Sequence, residues 1–401
     1  MFTPATSPPR LATLIGLTAL AILTLNLFLP TLPQIAADLG ADYALVNLSV
    51  AGYLALTALL QLVAGPLSDR FGRRPVMLIA LACFCLASVG AALAESITVF
   101  LAWRVAQGSI IAGVALSRAI VRDMFAPQEA ASKLGYISMI MAIAPMLGPI
   151  LGGVVGEVFG WRGNFWIFAG FGAAMLWATW ADLGETNAYK GRPMREQFRS
   201  YPELLRSRRF WGYALCLGFS VGAFYAFLGG APLVATVVFD LSPAMQGLVI
   251  GFTTVGFFFG SFAAGRLGTR VPLTTMMLAG RLLAFGGMSL GLLVMLAGYV
   301  TVPVLLGSVV FVGLGNGLTL PSASAGVLSV RPELAGSASG LSGALMVGGG
   351  AVMTWATGLA VAAHPSAPLL LAMMLVSVVI SLIAALWVIA VDRKMAAQAG
   401  A

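Results

Sequence analysis

Apolar runs of about twenty residues recur from one end of this chain to the other. Each is long enough to cross, as a helix, the roughly 30 Å hydrocarbon core of a bilayer. Within lipid, only helices and closed barrels satisfy every backbone N–H and C=O, and these runs lack the two-residue alternation of barrel strands. With 60% hydrophobic and 9% charged residues among 401, the chain has too little polar surface for a soluble domain. The sequence predicts an all-α polytopic membrane protein.

The runs and their breakers give twelve spans, near 11–33, 46–66, 75–94, 97–118, 134–157, 162–182, 210–236, 246–265, 272–297, 302–325, 336–361 and 367–391. The one long polar stretch, 183–209, carries Lys190, Arg192, Arg195, Arg199, Arg206, Arg208 and Arg209. It is expected as a central linker between a bundle at 1–182 and a second at 210–391, with a tail at 392–401. Basic residues collect in cytoplasmic loops. With the N-terminus inside, nineteen of the 22 Lys and Arg fall in cytoplasmic segments, two within spans (Arg104 and Arg281) and one outside (Arg162). Both termini are therefore expected to be cytoplasmic. The run after Arg10 exceeds the 7–15 residues of a signal-peptide core and is read as a retained first span.

This topology accounts for the net charge of +8 without nucleic acid. Cys83, Cys85 and Cys216 lie in apolar runs and read as small buried or lipid-facing residues, with no disulfide framework. The single histidine, His364, has no nearby carboxylates with which to hold a metal. No phosphate-binding Gly-x-x-x-x-Gly-Lys-[Ser/Thr] loop occurs, which argues against direct use of ATP. No nucleophile, base or metal cluster stands out, so an enzyme is not expected.

Two charge-rich segments break this apolar pattern in corresponding places. Asp69-Arg70-Phe71-Gly72-Arg73-Arg74 follows span two, and Gly265-Arg266-Leu267-Gly268-Thr269-Arg270 follows span eight. Arg70, Gly72 and Arg74 recur as Arg266, Gly268 and Arg270, each 196 positions on. Parallel six-helix repeats are one transporter architecture. The segment Gly65-x-x-x-Asp69-Arg70-x-Gly72-Arg73-Arg74 resembles the signature loop of the major facilitator superfamily. Arg104-x-x-Gln107-Gly108 in span four matches a second family pattern, and Gly148-Pro149-x-x-Gly152-Gly153 in span five matches the motif of its drug antiporters. Val121-Arg122-Asp123, Gly160-Trp161-Arg162 and Leu29-Pro30-x-Leu32-Pro33 look like the bicyclomycin- and chloramphenicol-resistance (Bcr/CflA) branch.

The resemblance implies two pseudo-symmetric six-helix bundles. It also implies a secondary active exporter of small lipophilic drugs, a drug/proton antiporter working by alternating access in the inner (plasma) membrane. Its expected partners are the lipophilic substrate, protons and the bilayer; it needs no cofactor, and a monomer is expected. A facilitator or symporter for a natural solute is the alternative within transport. A membrane enzyme or a non-transporting receptor is the alternative outside it. By the same resemblance, Asp69 faces the N-terminus of a second-half helix near Gly336, where the helix dipole favours a carboxylate, and Arg73 pairs with Asp123. Those contacts would form a cytoplasmic latch. The second-half copy has Gly265 where the carboxylate would stand. The glycines of span five read equally as close helix packing and as a bend, kinked at Pro149, that limits leak.

Arg104 is the most informative single residue, because a cation inside a span is costly and ordinarily faces a cavity or a partner. At about 1.5 Å per residue it lies about 10 Å below the outer surface, at the depth of Asn26 in span one. Arg281, nearer a helix end, reads as snorkelling to the headgroups. Phe28, Tyr53, Met139, Met141, Phe224, Tyr225 and Phe227 are candidate lining residues, since Met and aromatic surfaces adapt to varied lipophilic ligands; taken singly, each reads as helix packing before lining. Asn26 departs from the Bcr/CflA pattern, which has a proton-carrying aspartate there. An amide cannot titrate. Three accounts stay open: Asn26 is an engineered mimic of the protonated acid, Asp123 or Glu157 carries the proton, or transport is uncoupled from protons.

Overall fold

The computed structural model describes residues 9–125, 127–187, 201–267, 270–331 and 334–399. Helix dominates them, and among the described residues there is no strand. The first six spans are Leu11–Asn26 continued by Leu32–Asp38, Tyr43–Phe71, Arg73–Ala92, Ile97–Gln107 continued by Ile111–Met124, Pro127–Phe159, and Trp161–Asp182. The last six are Arg208–Val237, Pro243–Phe252 continued by Thr254–Leu267, Leu273–Leu296, Val302–Leu328, Ala335–Ala363 and Ala367–Ala399. Ten of the twelve are long and apolar enough to cross a membrane by length and composition. Span five offers the shorter apolar stretch Ile143–Phe159, and span six is the other exception.

Local chemistry fixes the helix ends. Asp42 caps span two by accepting the Ala44 N–H at 2.9 Å, and Ser207 caps span seven by accepting from Phe210. Such caps satisfy backbone donors that have no partner inside the helix. Span one is interrupted after Asn26, where a 3-10 turn at Leu29–Thr31 precedes the second piece. Pro30 has no N–H to return to the carbonyl of Asn26, so the helix cannot run through regularly.

The chain divides into two compact units: Met1–Phe198 with Ser242–Leu248, and Arg199–Leu241 with Val249–Ala401. In the first, Phe28, Phe84, Phe100, Trp161, Phe165 and Phe168 form a run of edge-to-face and tilted ring contacts with centroids 5.3–6.4 Å apart. At one end of this unit Arg162 and the Trp161 indole both donate to Asp38, and Arg162 also donates to the carbonyl of Ala94 at 3.1 Å.

Three sequence expectations are corrected. The charged segment after span two is not a loop: the helix runs through Asp69 and Arg70 to Phe71, and the next starts at Arg73. Gly72 alone makes the turn. The segment 183–209 is not wholly linker. Leu183–Asn187 packs back on the first unit through Glu185 and Asn187, Tyr201–Leu205 is helical, and span seven already begins at Arg208; residues 188–200 lie outside the described residues. The tail is also helical as far as Ala399, and its Asp392 accepts from Arg209 Nε at 2.7 Å and the Tyr213 hydroxyl at 2.6 Å.

Candidate functional site

Arg104 sits in the last turn of the first piece of span four and is fully buried. Its Nη1 donates to Gln107 Oε1 at 2.5 Å, one helical turn on. Its Nη2 reaches the carbonyl of Thr24, beside the interruption in span one, at 3.4 Å. The guanidinium carbon lies 4.0 Å from the ring centre of Phe28, 5.0 Å from Tyr53 and 5.8 Å from Phe165. Gln107 passes the network on, donating to Ser88 Oγ of span three at 2.7 Å, and Ser88 donates to the Phe84 carbonyl. One cation therefore ties spans one, three and four together through neutral partners and aromatic faces. Cation–π contacts gain strength when desolvated, but they do not neutralise the charge. No carboxylate pairs with Arg104 among the described residues.

Asn26 is also buried. Its Nδ2 donates to the Ile22 carbonyl at 2.8 Å, and its Oδ1 has no hydrogen-bond partner. The residues holding Arg104, Thr24 and Phe28, flank it two positions either way. Asn26 itself faces span five: a Cβ on Gly148 would sit 3.3 Å from that of Asn26.

The segment Gly148–Gly153 of span five packs against the interruption in span one. A Cβ on Gly152 would collide with the Leu27 carbonyl, and the Gly152 carbonyl accepts from Asn164 Nδ2 at 3.2 Å. A Cβ on Gly153 would meet the carbonyl of Pro243, in the segment that clusters with this unit. Pro149 lies within the helix. Gly152 thus allows direct backbone approach beside the irregular turn of span one, and Gly153 does so against Pro243.

The charged segment forms a second cluster. Gly65, Asp69 and Arg70 end span two, and Arg70 lies over the Phe71 ring, 5.2 Å from its centre. Gly72 has φ +102°, a conformation L side chains rarely adopt, and a Cβ there would run into the Glu185 carboxylate. Glu185 Oε1 accepts the N–H of Arg73 at 2.9 Å and that of Asn187 at 3.0 Å, while Asn187 Nδ2 donates to the Asp69 carbonyl at 2.8 Å. The Arg73 side chain, only 10% exposed, bridges Asp69 at 2.6 Å and Asp123 at 3.0 Å and also donates to Ser68. Arg74 donates to the Trp180 carbonyl at 2.8 Å. Glu185 and Asn187 gave no motif in the sequence; their signal was one acid placed shortly after span six.

Of the remaining candidates, Tyr53 is buried with its hydroxyl 3.4 Å from the Ala21 carbonyl, and Phe28 and Phe227 are wholly buried. Phe224 and Tyr225 are half-buried neighbours, their ring centres 6.2 Å apart. The side chains of Met139 and Met141 lie outside the described residues.

Arg281 requires correction. It does not snorkel: it is fully buried in the second unit, with Nε donating to Thr319 Oγ1 at 2.9 Å and Nη2 to Asn316 Oδ1 at 2.8 Å. The polar pair in span ten, three residues apart and hence on one helix face, was the overlooked signal.

The profile of the Major Facilitator Superfamily matches residues 14–354, and the chain belongs to that family. It is 34% identical over 265 residues to an MFS-type transporter of Bacillus subtilis strain 168, YdgK, a match covering 64% of this chain and 66% of that protein. It is 33% identical over 222 residues to a chloramphenicol resistance protein of Pseudomonas aeruginosa, covering 53% of this chain and 51% of the relative. A bicyclomycin resistance protein homologue of Haemophilus influenzae is 28% identical over 334 residues, 82% of this chain and 83% of that one. The chain thus spans just under two thirds of the first of these relatives and about half of the second. Among solved structures, a bacterial homologue of the human lysosomal transporter Spinster superposes with a TM-score of 0.75 over 96% of both chains at 17% identity, a likeness of fold. The fold and these relatives define a transporter and not an enzyme.

Proposed function

We propose that this protein exports small lipophilic compounds across the inner membrane by alternating access, with both termini cytoplasmic. The observation that carries the reading is the buried Arg104–Gln107 pair of the Arg-x-x-Gln-Gly motif, held against the interruption in span one and its aromatic rings. A cation sequestered this way suits a transport pathway better than a scaffold, because an apolar residue would pack at lower cost. The resistance names of two relatives support a drug-like substrate. Proton antiport is the energy source that the resemblance favours. An uncoupled facilitator is the second reading, and Asn26 favours it, since an amide carries no proton. Cells with and without the protein, loaded with a lipophilic dye and tested on an antibiotic panel, check the proposal. Faster energy-dependent efflux and raised resistance are expected. Unchanged efflux and susceptibility with the protein present in the membrane would reject export.

A further inference from the structure

The guanidinium of Arg104 has one short hydrogen bond to fix its turn, from Nη1 to Gln107 Oε1 at 2.5 Å. The bond from Nη2 to the Thr24 carbonyl is longer, 3.4 Å. The rings of Phe28, Tyr53 and Phe165 attract a cation without prescribing where each N–H points. The setting of Arg104 therefore depends on which way Gln107 presents its amide. A carboxamide has nearly the same shape either way round. Turned over, it would set its NH2 against the guanidinium, donor facing donor.

A residue outside the Arg-x-x-Gln-Gly pattern fixes that choice. Gln107 Nε2 donates to Ser88 Oγ of span three at 2.7 Å, and Ser88 Oγ donates to the Phe84 carbonyl, one turn back, also at 2.7 Å. A hydroxyl has a single proton. With that proton given to Phe84, Ser88 can only accept from Gln107. It holds the NH2 end of the amide and leaves the oxygen for Arg104. Ser88, Gln107 and Arg104 have no exposed surface, so bulk water does not compete for these bonds.

The contact between spans three and four does not itself need Ser88. Ser109 Oγ donates to the Ala80 carbonyl at 3.1 Å, and the Trp103 ring fills the place that a side chain on Gly90 would take. What Ser88 adds is direction. We propose that Ser88 is a positioning residue of the transport site: it orients the Gln107 amide so that its oxygen faces Arg104, and it acts on transport only through that pair. The inference rests on the export reading and adds a third residue to the pair that carries it.

The test compares Ser88 variants in two backgrounds, with Nile red and chloramphenicol as probes. Efflux from cells, divided by the amount of folded protein recovered from the membrane, is the measurement. Ser88→Ala adds no bulk, and alanine is a good helix former, so the variant is expected to fold. Its efflux rate is expected to fall about fivefold or more, because a buried amide N–H loses its acceptor and the amide is released to turn. Ser88→Thr keeps the hydroxyl and is expected to retain most of the rate. In Gln107→Leu no amide remains to be oriented, so adding Ser88→Ala there should change the rate little. A packing role would instead carry the same proportional loss into both backgrounds. That result, or a wild-type rate in folded Ser88→Ala, overturns the inference and leaves export standing. Loss in both Ser88→Ala and folded Ser88→Thr overturns it too, and this pair decides if Gln107→Leu is itself inactive. If the wild-type protein exports neither probe, the export reading falls and the inference falls with it.

Discussion

Glu185 accepts the backbone N–H of Arg73 at 2.9 Å and occupies the space that a side chain on Gly72 would need. Two residues 112 positions apart thus meet at the one-residue turn between spans two and three. The carboxylate receives an N–H at the start of span three, where the helix dipole also favours negative charge, so the end of span six braces the family's signature segment.

Glu185→Ala is expected to lower the stability of the protein by about 1–3 kcal/mol, the cost of leaving buried donors unsatisfied, whereas Glu185→Gln keeps an acceptor and loses less. Gly72→Ala is expected to cost about 1–3 kcal/mol for backbone strain and more for the clash. Because the two side chains compete for one space, the double variant Gly72→Ala/Glu185→Ala should lose less than the sum of the two single variants. Thermal unfolding of all four proteins in detergent measures this, and simple additivity would show that the clash is relieved some other way.

Asp69 and Asp123 share the Arg73 guanidinium. Asp69→Asn removes one of the two charges and leaves every arginine in place. Membrane insertion is therefore expected to persist while transport slows strongly. Efflux rate per folded molecule is the measurement; a wild-type rate would assign Asp69 no part in the transport cycle.

Most of this fold was legible because the controlling signal is coarse. An apolar run of bilayer length is helical wherever it occurs, and the observed helices begin and end within a few residues of the expected runs for most spans. The charged segment was misread because charge density suggested a loop, while Asp69 and Arg70 simply extend an apolar helix by one more turn until Gly72 ends it. Arg281 was misread because depth alone was considered, and its partners lie on another helix, 35 and 38 residues away. Glu185 was invisible for a similar reason. An acid's role as a cap for another helix depends on three-dimensional proximity, which no local pattern encodes. The Arg104–Gln107 bond is the contrary case: the two stand three residues apart on one helix, a spacing visible in the sequence that puts them on one face.

Arg104→Ala is expected to abolish most transport, and Arg104→Lys to restore only a part. Lysine presents a compact ammonium that cannot bond Gln107 and the Thr24 carbonyl while lying flat on Phe28. Gln107→Leu should weaken transport less than Arg104→Ala, since it removes one of the partners and not the charge. Transport assays on purified, reconstituted variants check the order, and full activity in Arg104→Ala would make the cation dispensable.

Gly152 and Gly170 offer a paired comparison on neighbouring helices. Gly152→Ala drives a methyl group into the Leu27 carbonyl, whereas a Cβ on Gly170 meets nothing within 4 Å. The first substitution is expected to cost about 1–3 kcal/mol or more by overpacking and to impair transport by displacing span one next to Asn26. Gly170→Ala should be neutral or slightly stabilising, because alanine is the better helix former. Equal behaviour of the two in melting and efflux assays would mean that spans one and five separate at little cost.

Asn26 offers the test of how transport is powered. It is buried, lies in sequence between Thr24 and Phe28, which contact Arg104, and faces Gly148 of span five. An aspartate there would place a titratable group two residues in sequence from Thr24 and Phe28, two of the contacts of a buried cation that has no acidic partner among the described residues. With asparagine, that position carries the same charge at every pH, so a proton gradient has no group there on which to act. Asn26→Asp is therefore expected to create or strengthen pH-driven efflux, and the wild-type sequence to move few protons when drug is added. Protonation of the new carboxylate would abolish its charge, so efflux by the variant should depend on pH more steeply than efflux by the wild type. Reconstituted vesicles with a pH-sensitive dye inside measure both quantities. Robust drug-triggered proton flux with Asn26 in place would put the coupling group elsewhere, with Asp123 and Glu157 the acids to replace next.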